Sequence, residues 1–111
     1  MDVNSEGDNI VKALSSEFSD ASFSFTKTDI SNWDELAGAF EQIYRDQGRI
    51  DVVLANAGIS KEVKLNIDEE TPSKPSLPSL DVNLVGTIYS ALSIPGSDCP
   101  LILAGCVMSI C

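Results

Sequence analysis

A chain of 111 residues, 43% hydrophobic and 22% charged, holds material for one small core and not for several domains. Seven basic residues against seventeen acidic ones give a formal net charge of −10, a surface that repels nucleic acid and anionic lipid, so neither is expected as a partner. There is no histidine, which excludes Ser/His and Cys/His nucleophilic chemistry.

Cys99, Cys106 and Cys111 match neither a disulfide framework nor a zinc module, so free thiols and no metal are expected. The apolar tract Leu101–Cys111 is interrupted by Gly105 and Ser109 and is too short to span a bilayer. Met1–Asn9 is polar and acidic, unlike a secretory signal, and the expected location is the cytoplasm.

Taken in order, Ile10, Leu14 and Phe18 recur every four residues, with Val11 beside them, and predict an amphipathic helix over Ser5–Phe18 capped by Asn4 or Ser5. Ser22–Thr26 alternates polar and aromatic, with Phe23 and Phe25 on one face, and predicts a strand buried on that face. Ser31, followed by Asp34 and Glu35, reads as an N-cap with acidic residues in the first turn. Trp33, Leu36, Ala37, Phe40, Ile43 and Tyr44 keep a helical period up to Gly48, which is placed for a left-handed cap.

Asp51–Ala55 is a run with consecutive apolar residues stopped by Asn56, Ala57 and Gly58, as expected of a central parallel strand buried on both faces and ending where open α/β sheets bind ligands. Helix, strand, helix, strand at these lengths argues for a parallel sheet with right-handed crossovers.

Residues 60–79 read as an irregular exposed loop, with Asp68, Glu69 and Glu70 followed by Pro72, Pro75 and Pro78. The proline spacing would also suit a polyproline-binding module, but loop prolines are the ordinary reading. The acidic residues lack a second ligand cluster for a metal. Leu80, Leu84, Ile88 and Leu92 form a four-residue stripe on a further helix, closed by Pro95 and Gly96, and Leu101–Ala104 reads as a last short strand. Asn83 lies beside that stripe, where its amide needs partners, and by pattern alone reads as a surface or boundary residue.

With these elements in place, the chain resembles the short-chain dehydrogenase/reductase family. The resemblance is carried by Asp29-Ile30, by Asn56-Ala57-Gly58 after the central strand, and by Val-Asn-Leu-Val-Gly at Val82–Gly86, in the family's order and near its spacing. It implies an α/β fold: a partial, incomplete Rossmann-like doubly wound parallel sheet in three α/β/α layers, with residues 1–111 as a single partial NAD(P)-binding domain. It implies that Asp29 and Ile30 lie against adenine, that Asn56, Ala57 and Gly58 line the cofactor edge, and that Asn83 is the helix asparagine that holds a water in the proton relay. Asp2-Val3-Asn4 resembles the end of the family's second strand, where a carboxylate accepts from the ribose 2′-hydroxyl and repels a 2′-phosphate, implying NAD in preference to NADP.

Other family features have no counterpart in these residues. There is no G x x x G x G turn to hold the pyrophosphate, and neither Tyr44 nor Tyr89 has a lysine four positions on to make the family's Tyr x x x Lys acid/base pair. Cys106 stands at the family's substrate-orienting serine, with a thiol for a hydroxyl. In the strand order 3-2-1-4-5-6, Ser22–Thr26 would be the third strand and Asp51–Ala55 the fourth, leaving the third without its neighbour.

The leading expectation is therefore a fragment, truncated at both ends, of an NAD(P)-dependent oxidoreductase acting on a small alcohol or carbonyl substrate. Cofactor binding is expected to be impaired and the chain inactive by itself. The alternative is a non-catalytic interaction module, forming a homo-oligomer or binding a full-length relative through the helix at about 80–92. A third reading is an acidic binding domain of flavodoxin-like architecture.

Overall fold

The computed structural model describes residues 1–61, 74–95 and 101–102. The elements are α1 (Gly7–Glu17), α2 (Trp33–Gln47), β1 (Val53–Leu54), α3 (Pro78–Leu80), a π-helical turn (Asp81–Gly86), α4 (Thr87–Leu92) and β2 (Leu101–Ile102). β1 and β2 pair in parallel, Val53 opposite Leu101 and Leu54 opposite Ile102, so the residues between them form a crossover.

Side chains from the preceding turn prepare the start of α1. Asp2 Oδ1 accepts from the Asn4 N–H at 2.8 Å, and Asn4 Oδ1 from the Glu6 N–H at 3.1 Å. The cap position falls on Glu6 rather than on Asn4 or Ser5 and makes no side-chain capping bond. No residue of α1 is fully buried. Its cover comes from the aromatics that follow: Phe25 lies directly against Gly7, where any Cβ would overlap the ring, and Phe23 meets Phe18 with ring centroids 6.3 Å apart.

Two expectations for this region are corrected. Ser22–Thr26 is extended but is not a strand, because only its continuation finds a neighbour: Lys27 forms one parallel bridge with Asp2, and the Thr28 N–H donates to the Asp2 carbonyl at 3.0 Å. The neighbour that the expected strand order denied to this segment is thus present, as Asp2, but only beside the continuation at Lys27 and Thr28.

In α2 the cap is Asn32, not Ser31. Its Oδ1 accepts from the Asp34 and Glu35 N–H groups, and Asp34 and Glu35 occupy the first turn where the helix dipole favours them. Gly48 ends the helix at φ 74, the left-handed geometry that glycine takes without strain. Arg49 then pairs with Asp51 just ahead of β1, and that hydrogen bond raises the exposed guanidinium above its ordinary pKa.

The core is small. Leu36 and Phe40 of α2 and Val53 of β1 form it, with Ile30, Ile50, Tyr89 and Ile94 packed around them. Tyr89 joins α4 to α2 through an edge-on contact with Trp33, ring centroids 5.3 Å apart. The expectation that β1 is covered on both faces is corrected: Val53 is buried, but Val52 is 51% and Leu54 64% exposed. The stripe Leu80, Leu84, Ile88 and Leu92 is likewise exposed, while Gly86 and Ser90 take the buried positions of that helix. The helix turns its small residues, not its leucines, to the core: Gly86 and Ser90 lie two positions after Leu84 and Ile88, on the opposite face.

The acidic cluster Asp68–Glu70 and Pro72, like Gly96 and Cys106, lie outside the described residues, while Pro75 precedes α3 and Pro78 is its first residue. The ends of that connection are joined: the Lys61 N–H donates to Ser79 Oγ at 3.0 Å, and Ser79 Oγ donates back to the Lys61 carbonyl at 3.4 Å. Among the described residues no helix is long and apolar enough to cross a membrane.

Candidate functional site

A cavity of about 510 Å³ opens at the carboxyl ends of Asp2, Lys27–Thr28 and β1, the edge at which open α/β sheets bind ligands. Asp2, Asp29, Ile30, Asn56, Ala57 and Gly58 all line it. These six come from three separate stretches of sequence. Asn83 stands behind the wall, and Cys106 lies outside the described residues.

Local bonding holds each wall residue. Asp29 Oδ1 accepts from the Ser31 N–H at 2.9 Å and from Ser31 Oγ at 2.7 Å, while the Asp29 N–H donates to Glu35 Oε2 at 2.9 Å. The carboxylate is thus fixed by the turn that also starts α2. At the end of β1 the Asn56 N–H donates to the Leu54 carbonyl at 3.1 Å, a tight turn that carries Ala57 and Gly58 along the cavity edge.

The next residue is held from behind. Asn83 Oδ1 accepts from the Ile59 N–H at 2.8 Å, and Asn83 Nδ2 donates to the Ile59 carbonyl at 2.9 Å. One side-chain amide thereby satisfies both backbone groups of a residue in no regular element, as a neighbouring strand would. Asn83 is half-buried, and its amide both accepts from and donates to the Ile59 backbone. Gly58 leaves room for this approach: a Cβ there would lie 3.3 Å from Asn83 Oδ1.

Asn83 reaches Ile59 from the π-helical turn. A π turn widens the helix and breaks the regular pairing of its carbonyls, a distortion that recurs at functional sites. Two hydroxyls support the disturbed segment: Thr87 Oγ1 donates to the Asn83 carbonyl and Ser90 Oγ to the Gly86 carbonyl, both at 2.8 Å. Gly86 lets the helix approach Ile30, because a Cβ there would come 2.7 Å from Ile30 Cδ1. The asparagine helix and the Asp29-Ile30 wall are therefore locked through one glycine contact.

Sequence reasoning located the wall residues and Asn83 but missed Ile59, Gly86 and the buried Thr28. Gly86 left a signal, a glycine inside an otherwise helical stretch, which points to close packing. Ile59 left none, since its role rests on backbone atoms.

A family model described as "Enoyl-(Acyl carrier protein) reductase" matches residues 1–94. The chain belongs to the short-chain dehydrogenase/reductase family. Relatives of this family member include the short-chain dehydrogenase/reductase prx7 of Penicillium rubens, 29% identical over 75 residues, which cover 60% of this chain and 27% of that protein. The NADP-dependent dehydrogenase clz5 of Cochliobolus lunatus is 38% identical over 73 residues, covering 59% of this chain and 26% of that protein. The chain thus matches about a quarter of the length of these relatives.

Two solved structures have the same fold. The NADPH-dependent 3-quinuclidinone reductase from Rhodotorula rubra superposes with a TM-score of 0.64 at 24% identity, covering 81% of this chain and 33% of that one. An alcohol dehydrogenase from the archaeon Thermococcus sibiricus, complexed with 5-hydroxy-NADP, gives 0.67 at 21% identity, covering 84% and 38%. The architecture is a partial Rossmann-like α/β sheet.

The volume of the cavity lies in the range of small-molecule sites, its rim carries the carboxylates of Asp2 and Asp29, and Ile30 and Ala57 add apolar surface. These residues include no glycine-rich turn to surround a pyrophosphate with backbone amides.

Proposed function

We propose that this chain forms the adenosine-binding part of an NAD site of a short-chain oxidoreductase and selects NAD over NADP. The observation that carries the reading is the convergence of Asp2, Asp29, Ile30 and Asn56–Gly58 on one cavity at the carboxyl edge of the sheet. Asp2 is exposed at the rim, where its carboxylate would accept from a ribose 2′-hydroxyl and repel a 2′-phosphate. Clz5 and the Rhodotorula enzyme are NADP- and NADPH-dependent by name, so this preference separates the chain from them.

Bound nicotinamide supplies or accepts the hydride in such enzymes, and the substrate is an alcohol or carbonyl compound. Here the described residues hold and orient the adenosine end, and Asn83 braces the cavity edge through Ile59. Asn83 in this reading is the family's relay asparagine. Tyr44 and Tyr89 lack the lysine that would lower a catalytic tyrosine's pKa, and Tyr89 packs on Trp33, so hydride transfer by these residues alone is not expected. These residues alone include no glycine-rich amide cradle for a pyrophosphate, so weak dinucleotide binding is expected of them by themselves.

Calorimetric titration with AMP, NAD and NADP tests the reading. AMP and NAD should bind with similar, millimolar-range affinity, NADP more weakly, and Asp2→Ala should bring NAD and NADP together. Tighter binding of NADP than of NAD by the unaltered chain would refute it.

The exposed stripe Leu80, Leu84, Ile88 and Leu92 supports a second reading, in which the chain associates with itself or with a full-length relative through this helix.

A further inference from the structure

The helix that braces the cavity edge replaces one backbone donor with a side chain. In a regular α-helix the Thr87 N–H would donate to the carbonyl four residues back, that of Asn83. Here it donates to the Leu84 carbonyl, three residues back, and the Thr87 hydroxyl donates to the Asn83 carbonyl at 2.8 Å. One residue thus serves two carbonyls, the first with its backbone and the second with its side chain. The replacement sits where the π-helical turn (Asp81–Gly86) meets α4 (Thr87–Leu92). Threonine suits the place, because its χ1 is stiff and its Oγ1 reaches the carbonyls of the preceding turn.

What Asn83 does depends on this junction. Its side chain holds both backbone groups of Ile59, at 2.8 and 2.9 Å, and Ile59 follows the Asn56–Gly58 edge of the cavity. Two hydrogen bonds from one planar amide to a single residue require the Asn83 backbone in one place and direction. A part-buried carbonyl is costly to leave without a donor. Without the hydroxyl, the Asn83 carbonyl regains a partner most directly by taking back the Thr87 N–H. That narrows the wide turn toward α-helical geometry and rotates Asn83 about the helix axis, away from Ile59. The other hydroxyl of this helix acts elsewhere: Ser90 Oγ donates to the carbonyl of Gly86, the residue that packs on Ile30.

We propose that Thr87 is a positioning residue for the cavity edge: its hydroxyl holds the π turn open at the Asn83 carbonyl and so keeps the Asn83 amide on Ile59. Thr87 does this from within the site, since it lines the same cavity as Asn56, Ala57 and Gly58. Its consequence for dinucleotide binding rests on the NAD reading, and its consequence for Ile59 does not.

The test compares Thr87→Val, which keeps the shape and loses the hydroxyl, with Thr87→Ser, which keeps the hydroxyl. Amide hydrogen exchange at Ile59, measured by NMR on the whole chain against the Phe40 amide of the core, should be about tenfold faster in Thr87→Val. In Thr87→Ser it should match the parent, and Thr87→Val added to Asn83→Ala should bring no further acceleration at Ile59. NAD affinity should fall about threefold in Thr87→Val and not in Thr87→Ser, as fewer molecules hold a braced edge. Absence of NAD binding by the unaltered chain would refute the NAD reading and leave the Ile59 result to decide this one. Unchanged Ile59 exchange in Thr87→Val, equal acceleration at Ile59 and Phe40, or equal effects of the valine and serine substitutions would each overturn the proposal. If Thr87→Val does not fold, three-bond couplings about the Thr87 Cα–Cβ bond of the unaltered chain decide: one fixed rotamer is expected, and averaged rotamers would overturn it.

Discussion

The side chain of Asn83 is bound at both ends to the backbone of Ile59, one amide facing the N–H and C=O of a single residue twenty-four positions earlier. This pair links the helix after the long connection to the edge that follows β1. Its loss leaves two part-buried backbone groups unpaired.

Asn83→Ala should therefore lower stability by about 1–3 kcal/mol in urea unfolding. Asn83→Asp should cost at least as much, because a carboxylate oxygen would replace the donor that faces the Ile59 carbonyl. Ile59 amide exchange should be faster in Asn83→Ala than in the unaltered chain, which separates loss of this bond from a general loss of structure.

Gly86→Ala should destabilise by about 1–3 kcal/mol, since the new methyl meets the Ile30 side chain in a packed contact. Ile30→Ala removes the two nearest carbons, and the double variant should recover part of the loss. A double-mutant cycle with no coupling would contradict the packing described for this contact.

For α2, Asn32→Ala should cost about 1 kcal/mol through the lost cap to Asp34 and Glu35. Gly48→Ala should cost a similar amount, about 1 kcal/mol, because φ 74 is strained for alanine. The two sites lie at opposite ends of the helix, so the effects should add in urea titrations.

Leu84→Glu and Ile88→Glu, at exposed positions, should leave monomer stability within about 0.5 kcal/mol of the parent. If the stripe is an association surface, both substitutions should abolish any concentration-dependent rise in sedimentation coefficient. An unchanged rise would place association elsewhere.

Much of the candidate site was legible because it consists of short local signals: Asp29-Ile30 before a cap, and Asn-Ala-Gly after an apolar run. Helices α1 and α2 were legible from period and capping chemistry, with errors of one or two residues at the caps. Ser31 was mistaken for the cap because the next residue, Asn32, also carries a capping acceptor, and its Oδ1 is the one that meets the Asp34 and Glu35 N–H groups. The strand expected at Ser22–Thr26 failed because alternation records which face is apolar but not whether a neighbour exists to pair with. The leucine stripe shows a similar limit: periodicity finds an apolar face but not what covers it.

The most direct test of the adenosine-site account is a two-dimensional amide NMR titration of the whole chain with NAD and, separately, NADP. The account predicts shift changes concentrated at Asp2, Asp29, Ile30 and Asn56–Ile59, saturating at lower NAD than NADP concentration. Changes confined to other surfaces, or saturation at lower NADP concentration, would contradict it.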